Sequence, residues 1–196
     1  MGRVEEDDVG VKALPFVNCF KFETEDISTI TFKHNQQHII TMNKAIDNLK
    51  KTRLFLLNII EELSEAQLNE IPEGFNNNVV WNITHLLATQ QMFCYVRTGQ
   101  QPVIHEQYIE QYKPGTKPEQ VVTADAIATI KTLLTATIYQ LENDYTNNLF
   151  VNYESWSTRS GIAINTIEDA IQFMAFHEGM HTGYIMALKR VLKNKV

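Results

Sequence analysis

The residues of this sequence best placed to do chemistry are three histidines. The stretch FMAFHEGMHTGYIMALKR, residues 173–190, holds His177, Glu178 and His181 in the pattern H-E-x-x-H, and His85 closes the string WNITH far upstream. Side chains four apart on a helix are neighbours, so two imidazole nitrogens can converge on one ion at the ~2.0 Å of a zinc–nitrogen bond. The repeat Ala170, Met174, His177, His181, Tyr184, Leu188, Val191 sets both histidines on a stripe that faces a helical interior. His85 stands on a similar stripe with Trp81, Ala88, Met92 and Tyr95. One inward histidine reads as a hydrogen-bonded core residue, whereas an i, i+4 pair joined by a third points to a metal. Three protein ligands leave a coordination position open, as catalytic sites do and structural sites do not.

H-E-x-x-H is also the spelling of a zinc protease, with Glu178 as general base. Such enzymes commonly take their third ligand downstream, and no His, Asp, Glu or Cys follows His181. A helical body of this size also offers no strand edge for a peptide, so the protease reading is set aside. Glu178 lies about 100° round the helix from His177 and about 60° from His181. It is open to three readings: a group that orients a ligand, a base at the rim of the site, or an exposed glutamate. Arg53, a charge on an otherwise apolar stripe, either snorkels to solvent or presents a cation to an anionic substrate. His34 and His38 repeat the i, i+4 spacing in a segment without a helical stripe and read as solvent-exposed. His105 sits in a long link and reads as a surface residue. Cys94, half a turn out of phase with His85, is expected on the opposite face, and Trp81, Tyr95 and Tyr184 flank the histidines and are expected as core packing, with the lining of a pocket as the alternative.

Helices must position these groups. Met42, Ile46, Leu49, Arg53, Leu56, Ile60 and Leu63 mark a first helix from Met42, followed by a capping box, Ser64 to Gln67, before Pro72 and Gly74. A second helix is expected from Asn77 or Asn78 to Arg97, with Gly99 past its end. A third runs from about Thr123 to Tyr145. The fourth starts after Asn165 or Thr166, with Glu168 and Asp169 in its first turn and Lys189, Arg190 and Lys193 in its last, matching the helix dipole. The result is an all-α chain arranged as a four-helix bundle. Links 98–122 and 146–165 exceed ordinary bundle loops, which implies a crossover or ordered loops over a bundle end. Residues 1–41, acidic and without a sustained stripe, read as a disordered extension before a domain of residues 42–196, with Met42 as a candidate initiator.

The chain has 196 residues, a net charge of −6 and two cysteines, Cys19 and Cys94, too few for a disulfide framework. No apolar run is long enough for a membrane span, and dispersed Lys and Arg leave no footprint for nucleic acid or an anionic membrane. A cytoplasmic protein with a small-molecule substrate or a protein partner is expected.

The Trp-Asn-x-x-His string (Trp81 to His85), a Tyr-rich link ending in Gly-Thr-Lys-Pro (Gly115 to Pro118) and His-Glu-x-x-His-x-Gly (His177 to Gly183) together resemble the DinB-like superfamily over residues 42–196. The resemblance implies an up-down-down-up four-helix bundle, often a homodimer, with a divalent metal on His85, His177 and His181. Zinc, nickel and iron all fit the family. Members include bacillithiol, mycothiol or glutathione transferases and a thiol-dependent isomerase, beside proteins without known activity. The expected function is a metal-dependent enzyme that transfers a low-molecular-weight thiol to an electrophile or hydrolyses a small substrate, with Glu178 and Arg53 as candidate catalytic residues. A non-catalytic metal-binding or ligand-sensing bundle is the competing class, and a bundle whose histidines bind nothing is the third. The first 41 residues have no counterpart in the family pattern.

Overall fold

The computed structural model describes residues 27–193. They form six α-helices: α1 (Ile27–Ile60), α2 (Glu65–Asn69), α3 (Val79–Gln90), α4 (Glu106–Tyr112), α5 (Ala124–Thr146) and α6 (Ile167–Lys193). Strands β1 (Trp156–Ser157) and β2 (Ala163–Ile164) pair as one short antiparallel hairpin. The class is all-α.

Helix ends follow the capping chemistry of the sequence. Ser64 and Gln67 make the reciprocal capping box of α2, Asn78 caps α3 through Trp81 N–H, and Thr123 caps α5 through Ala126 N–H. From Gln91 the α3 backbone passes through a π turn and a 3₁₀ turn before stopping at Gly99, whose φ of 71° suits glycine. One expectation is corrected: the first helix begins at Ile27, not Met42. No Pro or Gly lies between Ile27 and Ile60, so nothing in the backbone chemistry stops the helix at Met42, although the apolar stripe does begin there. His34 and His38 therefore fall within α1, but their side chains lie outside the described residues, as do Cys19 and all of residues 1–26.

The long helices α1, α3, α5 and α6 pack in a closed circuit in which α1 and α3 each touch both α5 and α6. Side-chain pairs fix their directions. Met42 with Gln172 and Glu62 with Lys189 set α1 parallel to α6, whereas Lys50 with Glu142 and Arg53 with Thr137 set α5 against α1. Gln90 with Thr137 and Tyr95 with Asp144 make α3 and α5 run together. The path is up, down, down, up. Helix α4 lies on the outer side of α3, which is why every residue of α3 is buried. Among the described residues, no helix is long and apolar enough to cross a membrane.

The core has two apolar clusters, one around Leu56, Ile60, Ile83, Leu87, Leu134 and Ile185, the other around Ile46, Leu49, Cys94, Ile138, Leu141 and Met174. A polar layer separates them. Arg53, 1% exposed, binds the Glu178 carboxylate through Nη2 at 2.6 Å and Nε at 3.1 Å. Its Nη1 donates to Gln90 Oε1 at 2.8 Å, Leu134 O at 2.9 Å and Thr137 Oγ1 at 3.1 Å. One guanidinium thus joins all four long helices. Arg53 neither snorkels to solvent nor presents a free cation, and Glu178, also 1% exposed, is not a surface glutamate: each is the other's counter-charge. Removing one partner of such a buried pair leaves an uncompensated charge. Glu178→Ala should therefore lower stability by about 3–5 kcal/mol in urea unfolding, and the double change Arg53→Met with Glu178→Leu should restore more than half of that loss.

Candidate metal centre

The three histidines predicted from sequence come together. One ligand atom from each of His85, His177 and His181 lies within 4.8 Å of the others, with His85 contributed by α3 and the pair by α6. His85 is buried and the other two are half-buried. Their position on α6 explains the difference. The most buried line of that helix runs through Ile171, Met174, Glu178, Ile185 and Leu188, so Glu178 points to the core centre and the histidines sit on its flank, towards α3. The sequence stripe drawn through His177 and His181 is thus displaced by about one residue from the true core line. That displacement gives the site its partial exposure.

Two of the rings are fixed from behind. His85 Nδ1 is 2.5 Å from the Tyr112 carbonyl, an acceptor only, so Nδ1 carries the proton and Nε2 keeps its lone pair. His181 Nδ1 is 2.8 Å from Asn82 Oδ1. The orientation of Asn82 follows from its Nδ2, which donates to Asn78 O at 2.7 Å, so Oδ1 accepts from His181 and again frees Nε2. Asn78 in turn donates to Asn69 O, and Asn69 clasps the Val122 backbone through both ends of its amide. A chain of asparagines thus leads from α2 to the second α6 histidine. Trp81 stacks on His85 with centroids 4.6 Å apart and is itself held through Nε1 by Thr116 Oγ1 at 3.1 Å. The Gly-Thr-Lys-Pro string thereby supports the site, since Gly115, at φ 92°, turns the chain so that Thr116 reaches the indole.

His177 differs. Its Nδ1 is buried without a hydrogen-bond partner, and Phe93 and Phe173 lie against the ring at 5.8 and 6.1 Å. An orphaned imidazole nitrogen beside two others that present free lone pairs fits a bound cation better than a closed polar core. The donor set, three neutral nitrogens with no carboxylate or thiolate in the group among the described residues, suits a transition metal such as zinc, nickel or iron rather than magnesium or calcium. Burial lowers the affinity of all three rings for protons. It does so for His85 against the opposing pull of the Tyr112 hydrogen bond, for His177 to about 4 with help from His85, and for His181 to about 3 with help from His177 and His85. At neutral pH all three are in the metal-binding form.

The profile of the DinB superfamily matches residues 48–185, which include all three histidines, Arg53 and Glu178. The chain belongs to the DinB superfamily. No curated protein matches it. As a DinB-superfamily member with a convergent three-histidine group, the chain fits a metal-binding protein.

The remaining sequence candidates stand apart from this centre. His105 is exposed and caps α4, its Nδ1 accepting from Gln107 N–H. Cys94 is buried against Met174, and burial pushes its thiol well above the usual range, so it is no nucleophile. Tyr95 packs in the apolar cluster of Cys94 and Met174 and gives its hydroxyl to Asp144, whereas Tyr184 meets Phe75 edge-on and borders a hollow beside His181. Sequence reasoning missed Asn82 and the Tyr112 carbonyl. Asn82 is visible inside the Trp-Asn-x-x-His string, three residues before His85. A backbone carbonyl twenty-seven residues away has no sequence signal.

The pKa directions set a pH dependence for the metal-free protein. Both α6 histidines bind protons more weakly folded than unfolded, so between about 6.5 and 4 the unfolded chain holds more protons and stability falls as the pH falls. In EDTA, the melting temperature should decline from pH 7 to pH 4, by a free energy approaching about 1.4 kcal/mol per pH unit for each histidine. Replacing His177 and His181 by Leu should flatten that profile.

Proposed function

We propose that the chain is a metal-dependent enzyme that joins a small thiol to an electrophile. The observation that carries the reading is a set of three convergent imidazoles from two helices, with no fourth His, Cys, Asp or Glu in the group among the described residues. Three ligands suit a site that exchanges its fourth, because a structural site is normally closed by the protein. A divalent metal bound there supplies Lewis acidity, which lowers the pKa of a thiol or a water brought to its open position.

The chain's own residues prepare the place. Tyr112 O and Asn82 hold His85 and His181 as the tautomers whose Nε2 atoms are free, so no proton has to leave the rings before binding. Phe93 and Phe173 beside His177, and Trp81 on His85, keep water from the backs of the rings. Glu178 and Arg53 act as positioning residues. Their carboxylate and guanidinium are spent on each other and on the core layer, which fixes the rotation of α6 and so the direction of the two histidines beside Glu178. A glutamate held in that way is not free for the general-base role that a protease would ask of it. Hydrolysis of a small substrate through an activated water is the second outcome the same site allows.

Metal content tests the reading. Protein purified without a chelator or an affinity tag should carry one divalent ion per chain by plasma mass spectrometry, and His85→Ala and His177→Ala should each carry less than about a tenth of that. Asn82→Ala should keep the helical circular dichroism but bind the metal about 10–100-fold more weakly. Metal lost in both histidine variants, followed by metal-dependent consumption of a thiol and an electrophile, supports the enzyme. Metal bound without any turnover would leave a non-catalytic binding protein.

A further inference from the structure

The outer face of α6 is apolar and exposed. Asp169, Phe173, Phe176, Met180, Gly183, Ala187 and Arg190 recur at steps of four and three, the spacing of a seam between two packed helices. They lie on the side turned away from the buried line of Ile171, Met174, Glu178 and Ile185. Phe176 is 57% exposed and Met180 49%, and the exposed Ile162 borders the same hollow as Phe173 and Phe176. Gly183 and Ala187 are exposed as well. From Ala170 to Leu188 the one charged residue of α6 is Glu178, which is spent on Arg53 in the core. A methyl group added at Gly179 or Gly183 would meet nothing within 4 Å, so packing within the described residues does not require glycine, which weakens a helix more than any residue but proline. A long apolar stripe of this kind, with two glycines that its own chain does not explain, is the form of a surface that another helix covers.

We propose that this face is covered by the same face of a second copy of the chain, with the two α6 helices antiparallel about a two-fold axis near Met180. A two-fold interface sets a patch against itself, so the patch must be self-complementary. Two gradients along the seam meet that requirement, and both select the antiparallel direction. The first is size. Phe173, Phe176 and Met180 fill the first half of the seam, and the small residues Gly183 and Ala187 fill the second. Antiparallel helices therefore set large against small, with Phe176 and Met180 towards the partner's Gly183 and Ala187, whereas parallel helices would set Phe against Phe and leave a gap at the glycines. The second gradient is charge. Asp169 opens the seam and Arg190 closes it, so antiparallel copies bring each acid to the other's base, and their helix dipoles also run in opposite senses. Both groups are available. Arg190 is exposed and takes part in none of the ion pairs among the described residues. Asp169 accepts the Asn165 and Thr166 N–H groups through Oδ2, which leaves Oδ1 for the partner. One acid and one base do not suit an anionic membrane, which attracts a row of Lys and Arg. The interface is independent of the metal reading.

Sedimentation velocity on the full-length chain, at concentrations up to about 100 μM, should show a dimer. Gly183→Leu fills the space meant for the partner and should weaken the dimer about ten-fold or more. The same change should keep the helical circular dichroism, because the position is open and leucine is the better helix former. Direction is read by cross-linking in a chain that carries Cys19→Ser. Met180→Cys should form a disulfide with its own copy under oxidation and Ala187→Cys should not, because only positions at the axis of an antiparallel pair meet themselves. A monomer at about 100 μM would overturn the proposal. So would a dimer that Gly183→Leu leaves unchanged, which meets on another face, or one in which Ala187→Cys cross-links as readily as Met180→Cys, which is not antiparallel about this axis.

Discussion

A charged group can remain in a protein interior only if the fold supplies all of its partners. Arg53 is such a group, and satisfying it takes a carboxylate from α6, an amide from α3, and a carbonyl and a hydroxyl from α5. The layer is cross-braced, because Gln90 also donates to Thr137 O and the Thr137 hydroxyl is 3.0 Å from Gln90 Oε1. Hydrophobic burial drives the four helices together but tolerates rotation and sliding, whereas a bidentate guanidinium–carboxylate pair has one geometry. Hydrophobic clusters on either side supply the attraction, and this layer supplies the register.

Register is what the metal centre needs. Glu178 stands between His177 and His181 in the sequence of α6, so fixing its direction towards the core sets both rings on the flank that faces α3. The rings then meet His85, which reaches them from a helix buried on all sides and cannot turn away. The histidines are set at the border between core and surface. Deeper placement would seal them, and shallower placement would surrender them to solvent.

Much of this is legible in residue order. The spacing of His177 and His181, the phase of His85 and the capping residues Ser64 and Asn78 lead to the helices and to the three-histidine group, because such patterns are local and repeat with the helical period. What is not legible depends on rotation about a helix axis or on contacts far apart in sequence. The stripe through His177 misses the core line by a residue, since a pattern of apolar and aromatic side chains tolerates that error and only the partner Arg53, 125 positions from Glu178, resolves it. The same partner turns two candidate catalytic charges into one buried pair. The start of α1 escapes the sequence because fading amphipathicity resembles the end of a helix, although backbone helicity needs only the absence of a breaker. Helix α4 hides in a link whose prolines suggest irregular chain.

The support of His85 by Tyr112 is made with a main-chain oxygen. A carbonyl is common to all twenty residue types, so the side chain at that position can change without deleting the acceptor. The hydrogen bond is therefore exposed to changes in chain length rather than to changes in residue identity: drift by substitution leaves it alone, while one residue gained or lost between Gly99 and Thr123 shifts a different carbonyl towards the imidazole. Homologues can then differ widely in the spelling of this link while sharing its length, and an engineer can rewrite its surface freely but should count its residues.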